Sequence, residues 1–380
     1  MGFLKAPVVN VNNQAGDYIT NGDQPNNQST ITPTFPPLCM RNKKRRPGFF
    51  PNFDYALYGY NIFYGYPLAI GHDPGLTRPI FEADYSDDLH FSADCSYHIP
   101  RGFYLAPDVS CKTSFSSSAV VSSKQYSESL EKTVDVGVNW NGLFFGASFD
   151  YKKKTTVLDS GSSVYILSGA ECNSYFSKMN TEQPPKITGD FINAAKDLKT
   201  LNDTYDFFRE YGTHYLRYTT FGARYIYENE MDKDEFLKES LSSVSIEARA
   251  TLASMFSIFG GAGMSESNKN LALDFQSKVE TLTISIGAAP PEDGKTLTWA
   301  STVKKNPIPI RFQMESIEDL FTPKFMKGHE DLIDYKKIRN LITEGRQNYL
   351  KDLMKMGKIT RSSSRHKDCK RFYCPNKLFQ

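Results

Sequence analysis

The sequence lacks any long hydrophobic run. None of its segments approaches the roughly 18 consecutive apolar residues of a membrane-spanning helix, so we expect no transmembrane helix. Any insertion into a membrane would then have to use β-strands or a peripheral face. The chain also lacks a charge bias, because its formal net charge is +2. A near-neutral chain is a poor candidate for a dedicated nucleic-acid binder, and we expect no nucleic-acid partner.

A secretion leader is also missing from the visible sequence. No apolar signal-peptide core follows Met1, and Ala6 stands where the myristoylation pattern requires Ser or Thr. We therefore expect either a cytosolic protein or a mature form whose leader has been removed.

The cysteines are few but even in number, and six of them permit three disulfides in an oxidising compartment. Cys369 and Cys374 are close enough in sequence to pair locally. The others are Cys39, Cys95, Cys111 and Cys172.

No catalytic or metal-binding motif is recognisable. The six histidines show no spacing typical of a metal site, and no Ser or Cys nucleophile motif surrounds them. His214 falls in a strand-like stretch, where a structural role is the more common one. We therefore expect no enzymatic activity, no metal and no cofactor.

The most distinctive segment joins a helical pattern to a strand pattern. Its residues are Tyr211, Gly212, Thr213, His214 and Tyr215. Residues 215–227, which follow, are rich in aromatic and β-branched side chains, and Gly222 lies among them. The order of helix, motif, strand and glycine resembles the signature of the membrane-attack-complex/perforin (MACPF) family. Ala223 stands where that family usually has a second glycine.

A second resemblance lies in residues 55–82. They are similar to the opening of MACPF domains in protist perforin-like proteins, where a Gly-Tyr pair and an apolar strand precede a turn. The matching residues are Gly59, Tyr60, Gly65, Pro67, Asp73, Pro74, Gly75, Pro79 and Ile80. Residues 331–357 have the spacing of an amphipathic helix, which often ends the domain in this family.

These features divide the chain into three parts. Residues 1–48 form an Asn-, Pro- and Ser-rich arm that we expect to be disordered, and it ends in the basic run 41–46. That run is either a solvated linker or a processing, lipid-binding or localisation signal. Residues 50–357 form the expected MACPF domain. Residues 358–380 are a short basic tail that carries Cys369 and Cys374.

Residues 134–151 show the alternation of a β-hairpin around Asn141–Gly142, a strong signal for a two-residue turn. Cross-strand partners project to one side of a hairpin, so all the apolar side chains share one face. They are Val134, Val136, Val138, Trp140, Leu143, Phe145, Ala147, Phe149 and Tyr151. This is the pattern of a membrane-inserting hairpin with a polar lumen face, although an ordinary hairpin on a protein core has it too.

Residues 243–259 have two periodicities at once. Their composition favours a helix that ends at Gly260 and Gly261, and it also alternates as a strand would. The alternating apolar residues are Val244, Ile246, Ala248, Ala250, Leu252, Phe256 and Ile258. A segment that changes from helix to strand needs both patterns. We interpret it as a second membrane-inserting hairpin, with plain helix–strand ambiguity as the alternative.

The resemblance to MACPF proteins implies an α+β fold, in which a bent, twisted four-stranded antiparallel sheet is flanked by two helical clusters able to convert to β-hairpins. Gly222, Gly260 and Gly261 are the expected hinge residues, because glycine tolerates unusual backbone angles.

The implied function is pore formation. A secreted monomer would bind a lipid or receptor on a target membrane, assemble with copies of itself into a ring, and insert two hairpins per subunit into a β-barrel. A targeting partner chain is compatible with this picture, because no targeting module is visible. The alternative is a non-lytic MACPF protein that acts as an adhesion or binding module.

Overall fold

The computed structural model describes residues 47–63, 75–87, 90–131, 134–135, 149–292 and 295–355. The strands are β1 (Gly48–Phe49), β2 (Tyr58–Tyr60), β3 (Leu76–Pro79), β4 (Tyr97–His98), β5 (Phe103–Val120), β6 (Val134–Asp135), β7 (Ser163–Met179), β8 (His214–Asp232), β9 (Glu280–Ile286) and β10 (Ile308–Ser316). The helices are α1 (Ser123–Glu131), α2 (Phe149–Ser160), α3 (Gly189–Lys196), α4 (Leu201–Tyr211), α5 (Lys233–Glu239), α6 (Ile246–Phe259), α7 (Glu266–Gln276), α8 (Thr296–Val303) and α9 (Tyr335–Lys355).

A long, mostly antiparallel sheet organises the molecule. β8 pairs on one side with β7, which in turn pairs with β5. On its other side β8 pairs with β10 along its first half and with β9 along its second half. The combination of helices with this sheet confirms the predicted α+β class. The fourth strand position, beside β8 on the side away from β7, is shared by β9 and β10. Residues 287–307, which connect these two strands, leave the sheet and carry α8.

The two faces of the sheet carry different helices. Successive residues of a strand point to opposite faces. Tyr165 of β7 packs on the side of α1 and α2, where its ring centroid lies 6.2 Å from that of Tyr126. Its neighbours Val164 and Ile166 pack on the other side with α6 and α7, against residues such as Ala250. We call residues 123–160 cluster 1 and residues 233–276 cluster 2.

The end of the sheet remote from the clusters lies in a large aromatic core with α3, α4 and α9. Helices α4 and α9 pack so closely that a Cβ at Gly345 of α9 would collide with Thr204 of α4. α9 begins at Tyr335, four residues later than the sequence pattern predicts. The carboxylate of Asp334 accepts a hydrogen bond from the backbone N–H of Lys337 (3.1 Å), which explains the later start.

No helix among the described residues is long and apolar enough to cross a membrane. Within the same residues no group of three or more His, Cys, Asp or Glu side chains could hold a metal ion.

Candidate functional site

The five-residue signature forms the tight junction between α4 and β8. Gly212 has a φ of 81°, and a Cβ there would lie 2.5 Å from the carbonyl carbon of Tyr60. Next to it, the backbone N–H of Thr213 donates to the Tyr60 carbonyl (2.9 Å), and the Thr213 hydroxyl accepts from the N–H of Ile62 (3.2 Å). The junction therefore requires glycine and attaches the segment around β2 to the start of β8.

His214 is completely buried within this junction. Its Nδ1 lies 2.9 Å from the Thr213 hydroxyl. Burial lowers the pKa of His214 to about 3, and the positive charge of Arg346 adds to the effect. The imidazole is therefore neutral at physiological pH and has no contact with solvent. A general base must reach its substrate, so this geometry supports a structural role.

Gly222 lies where the sheet is irregular on both sides. The register of β7 on β8 shifts between Asn173 and Tyr175, and that of β10 shifts between Pro309 and Arg311. A Cβ at Gly222 would collide with the Cys172 carbonyl oxygen. Bulges of this kind bend a strand and increase its twist. Glycine is therefore required here by close backbone approach.

The residues next to Gly222 in the sheet are small or form a disulfide. Ala223 is fully buried, and a Cβ at Gly287 would lie only 3.1 Å from that of Ala223. Directly opposite Ala223, Cys172 forms a disulfide with Cys111 of β5. Cys95 is disulfide-bonded as well, whereas Cys39, Cys369 and Cys374 lie outside the described residues.

Charged side chains join three strands beside Gly222, on the face of the sheet opposite to Cys172 and Ala223. Glu171 of β7 lies 2.9 Å from Arg311 of β10 and 3.5 Å from Arg224 of β8. Burial lowers the pKa of Arg224 to about 10, and the nearby Glu171 carboxylate opposes that shift. Arg224 therefore remains charged, and the interaction links all three strands beside the bulges.

Cluster 1 contains the described ends of the first predicted hairpin. Val134 lies in β6, which pairs in parallel with β10 at Phe312. Phe149 and Tyr151 lie in α2, so this end of the stretch is helical in the structure. Lys154 of α2 forms a buried ion pair with Glu228 of β8. The remaining predicted residues lie outside the described part of the chain: Val136, Val138, Trp140, Leu143, Phe145 and Ala147.

Cluster 2 contains the second predicted hairpin, and here the chain is helical. α6 begins after Ser245, whose hydroxyl accepts from the N–H of Ala248 (3.2 Å). Gly260, with a φ of 60°, ends α6, and Gly261 (φ 73°) follows it in the turn towards α7. Val244 therefore precedes the helix, and the predicted residues from Ile246 to Ile258 lie within it. They are Ile246, Ala248, Ala250, Leu252, Phe256 and Ile258.

The contacts of α6 follow a helical stripe and not the strand alternation. The buried residues are Ile246, Arg249, Ala250, Ala253 and Ser254. Ala248 is exposed although it belongs to the alternating apolar set. The helix also contacts the sheet through Thr251, whose hydroxyl lies 2.7 Å from that of Ser117 in β5.

An ion network holds the helices of cluster 2 together. Arg249 of α6 pairs with Glu239 of α5 and with Asp274 of α7. Lys278 joins the same two acids at 2.7 Å and 3.0 Å. The side chains of Arg249 and Glu239 are only 8% and 12% exposed, so this pair is largely desolvated, whereas that of Asp274 is 42% exposed. Because Arg249 and Lys278 share the same two acids, removing Arg249 leaves Lys278 alone to compensate Glu239 and Asp274.

The buried ion pairs and the packing of α8 against the sheet, which we call the α8 brace, were not predicted from the sequence. Trp299 of α8 is fully buried against residues of the sheet that include Phe115 and Ala223, and its indole N–H donates to the Ala288 carbonyl (2.8 Å). Arg249 lies among the small and apolar residues of α6, and its charge is the sequence signal for an ion pair there. The brace gave no local signal, because its partners are distant in sequence.

A central antiparallel sheet with bulges beside a glycine, and two helical clusters inserted between its neighbouring strands, define the structural class. The model of the MAC/Perforin domain family, MACPF, matches residues 42–351. The chain belongs to this family, as the signature predicts. No curated protein sequence matches the chain.

One solved structure supports this fold. GNIP1Aa from Chromobacterium piscinae aligns with a TM-score of 0.56 and 15% identity, over 80% of this chain and 57% of that one. A putative cell invasion protein with a MAC/Perforin domain from Bacteroides thetaiotaomicron VPI-5482 has a TM-score of 0.44 and 11% identity, over 80% and 63%. Astrotactin-2, described as a vertebrate perforin-like membrane protein of neuronal development, gives 0.41 and 13%, over 78% and 99%. The chain thus spans less than two thirds of the first two relatives.

Proposed function

We propose that this protein forms pores in membranes. In this proposal a secreted monomer binds a lipid or receptor on the target membrane and assembles with further copies into a ring. Each subunit then extends clusters 1 and 2 as β-hairpins, which together close a barrel. The process needs no enzymatic step, no cofactor and no nucleic acid.

The observation that carries the proposal is the position of the clusters in the chain. Cluster 1 connects β5 to β7, and cluster 2 connects β8 to β9. Both pairs of strands are antiparallel neighbours in one sheet. If either cluster unfolds its helices, its chain can continue the two strands that it joins, and no new connection is needed.

The register of β5 on β7 gives further support. Val120 pairs with Tyr165, and the same register continued outwards meets at Gly142 and Leu143. That point lies one residue from the Asn141–Gly142 turn that the sequence predicts. The continued register also keeps the alternating apolar residues of both arms on one face.

Closure into a ring follows from the physics of the bilayer. A strand edge in lipid leaves backbone N–H and C=O groups without partners, so only a closed barrel is stable there. Within the described residues, β5 pairs on one side only, with β7, and β9 pairs on one side only, with β8. Neighbouring copies could pair at these edges.

Dye release from liposomes of several lipid compositions, with negative-stain imaging of the same samples, tests the proposal. Leakage with ring-shaped particles supports it. The double variant Val138→Asp/Phe145→Asp should then bind membranes without leakage, because it places two carboxylates on the lipid face. If neither leakage nor rings appear on any membrane, the result favours a non-lytic adhesion or binding module.

A further inference from the structure

At the end of the sheet nearest the clusters, four paired residues form a row from which positions along both proposed hairpins can be counted. Val120 pairs with Tyr165, Tyr165 with Glu230, and Glu230 with Glu280. These four residues lie side by side across β5, β7, β8 and β9, and we call them the rim row. Directly paired residues point to the same face. The position of a residue along each extended arm can therefore be counted from the rim row. A residue an even number of positions away points to the same face as the rim row, and a residue an odd number away points to the opposite face.

The register of β8 on β9 determines where the second hairpin would turn. It runs without irregularity from Arg224 paired with Ile286 to Glu230 paired with Glu280. Continued outwards, it pairs Ala248 with Ala262 and brings the two arms together at Met255. The tip therefore falls inside α6, five residues before Gly260, at which the helix ends.

The faces that this register creates are strongly unequal. One face carries only apolar or small side chains over about eleven residues of one arm and nine of the other. They are Val244, Ile246, Ala248, Ala250, Leu252, Ser254, Phe256, Ile258, Gly260, Ala262 and Met264. The opposite face is mostly polar or glycine and includes Ser245, Glu247, Arg249, Thr251, Ser257, Gly261, Gly263 and Ser265. A tilted strand that crosses the hydrocarbon core needs about 9–11 residues.

The apolar face of the second hairpin begins at the same distance from the rim row as the apolar face of residues 134–151. Val244 lies fourteen residues beyond Glu230, and Val134 lies fourteen residues beyond Val120. Fourteen residues likewise separate Tyr151 from Tyr165. All three have the parity of the rim row and so point to one face. At about 3.3 Å per residue, the apolar stretches of these three arms begin roughly 46 Å from the rim row, and that of the fourth arm begins at Met264, sixteen residues from Glu280.

We propose, on the basis of the proposed function, that residues 244–264 form the lipid-contacting part of the second hairpin, with its tip at Met255. Ala262 and Met264 then contact lipid, and Gly260 and Gly261 lie within the returning strand and are not at its turn. Glu247 and Arg249 face the water-filled lumen. Arg249 leaves its partners in cluster 2 during the change, and water in the lumen replaces them.

A cross-linking experiment tests the tip. In the structure, Ala248 and Phe259 are separated by roughly 16 Å along the axis of α6, and Ala262 lies beyond the end of that helix. In the proposed hairpin their Cβ atoms lie about 5 Å apart. The variant Ala248→Cys/Ala262→Cys should therefore cross-link after the protein binds leaking liposomes and not before, as mapped by mass spectrometry of non-reduced peptides.

The matched rival is Leu252→Cys/Lys269→Cys, which would pair directly if the turn lay at Gly260 and Gly261. In the proposed register its two positions are roughly 36 Å apart along the hairpin. A cross-link in this rival on leaking liposomes, or leakage by the first variant without its cross-link, overturns the assignment of the tip. Absence of leakage by the unmodified protein on every membrane overturns the proposed function and this inference with it.

Environment-sensitive fluorophores test the faces independently. Ala262 and Ser265 are both exposed in the structure and belong to opposite faces of the proposed hairpin. A probe on Ala262→Cys should shift to the blue on leaking liposomes and be quenched by a lipid-borne quencher. A probe on Ser265→Cys should respond only to an aqueous quencher. The reverse pattern, or identical behaviour of the two probes, overturns the assignment of faces.

Discussion

At the scale of single residues, the signature acts through close backbone packing and exclusion of water. Gly212 and Gly222 each lie where a Cβ would meet the backbone of a neighbouring segment. His214 fills the buried space beside Thr213 as a neutral side chain. The motif is thus explained by packing without any chemistry at the imidazole.

The neutral state of His214 predicts an acid-dependent loss of stability. In the unfolded chain its pKa is near 6.5, whereas in the folded protein it is about 3. Between these values the unfolded state binds more protons, so the free energy of unfolding falls as the pH falls. We expect urea denaturation to show a slope from His214 of up to about 1.4 kcal/mol per pH unit within that window. The variant His214→Gln should lack this contribution, and an unchanged slope in that variant would contradict the explanation.

Gly222 gives a second prediction at this scale. The variant Gly222→Ala places a methyl group against the Cys172 carbonyl and 2.9 Å from Cδ1 of Ile310. We expect urea denaturation to show a loss of about 1–3 kcal/mol, typical of overpacking. Gly169→Ala is the matched control in the same sheet, because its nearest contacts would be at 3.8 Å. Equal losses in both variants would mean that general strand effects, and not this contact, determine the cost.

At the scale of elements, cluster 2 shows what sequence reasoning could and could not predict. The stretch before Gly260 satisfies both a helix and a strand, and the sequence alone could not choose between them. The structure chooses the helix because the stripe that includes Ala250 and Ala253 fits against the sheet. The helix end at Gly260 was predictable from a local rule, whereas Gly212 and Gly222 were recognised by resemblance and are required by contacts with Tyr60 and Cys172, which are distant in sequence. The division of the fourth strand position and the pairing of Lys154 with Glu228 depend on residues distant in sequence.

The ion network predicts how α6 is retained. Arg249→Met leaves Glu239 and Asp274 paired with Lys278 alone, so we expect a loss of about 3 kcal/mol in the free energy of unfolding, the lower end of the range for a buried pair that loses one partner. Hydrogen exchange of residues 246–259 should become roughly tenfold faster or more, because the local opening of α6 becomes easier.

Arg346→Met is the control for this experiment. Its side chain is 16% exposed and pairs at 2.9 Å with Glu318, outside both clusters. It should lower overall stability without selectively accelerating exchange in α6. Equal acceleration in both variants would show that α6 opens only when the whole domain unfolds.

The disulfide between Cys111 and Cys172 encloses cluster 1, with 61 residues of sequence separation. A loop of that length predicts a stabilisation of about 4 kcal/mol through the unfolded state. β5 and β7 remain neighbours in the proposed pore, so the bond does not oppose insertion. The variant Cys111→Ser/Cys172→Ser should lose stability in urea denaturation while retaining liposome leakage at a temperature at which it stays folded. Loss of leakage in the folded variant would mean that the cross-link has a role in insertion itself.

At the scale of the whole molecule, pore formation requires cluster 2 to leave the sheet while the sheet strands remain paired. The structure offers one residue that can test both halves of this statement. The hydroxyl of Ser117 in β5 lies 2.7 Å from that of Thr251 in α6 and also 2.7 Å from that of Ser168 in β7. The first contact must break during insertion, whereas the second persists.

Two engineered disulfides follow from this geometry. Ser117→Cys/Thr251→Cys should attach α6 to the sheet, abolish dye release from liposomes, and regain it after mild reduction. Ser117→Cys/Ser168→Cys joins strands that stay adjacent, so it should release dye whether oxidised or reduced. Mass spectrometry of non-reduced peptides would verify that each bond has formed. Leakage by the fully cross-linked first variant would show that α6 remains on the sheet in the active form, and cluster 2 would then not be a membrane-inserting element.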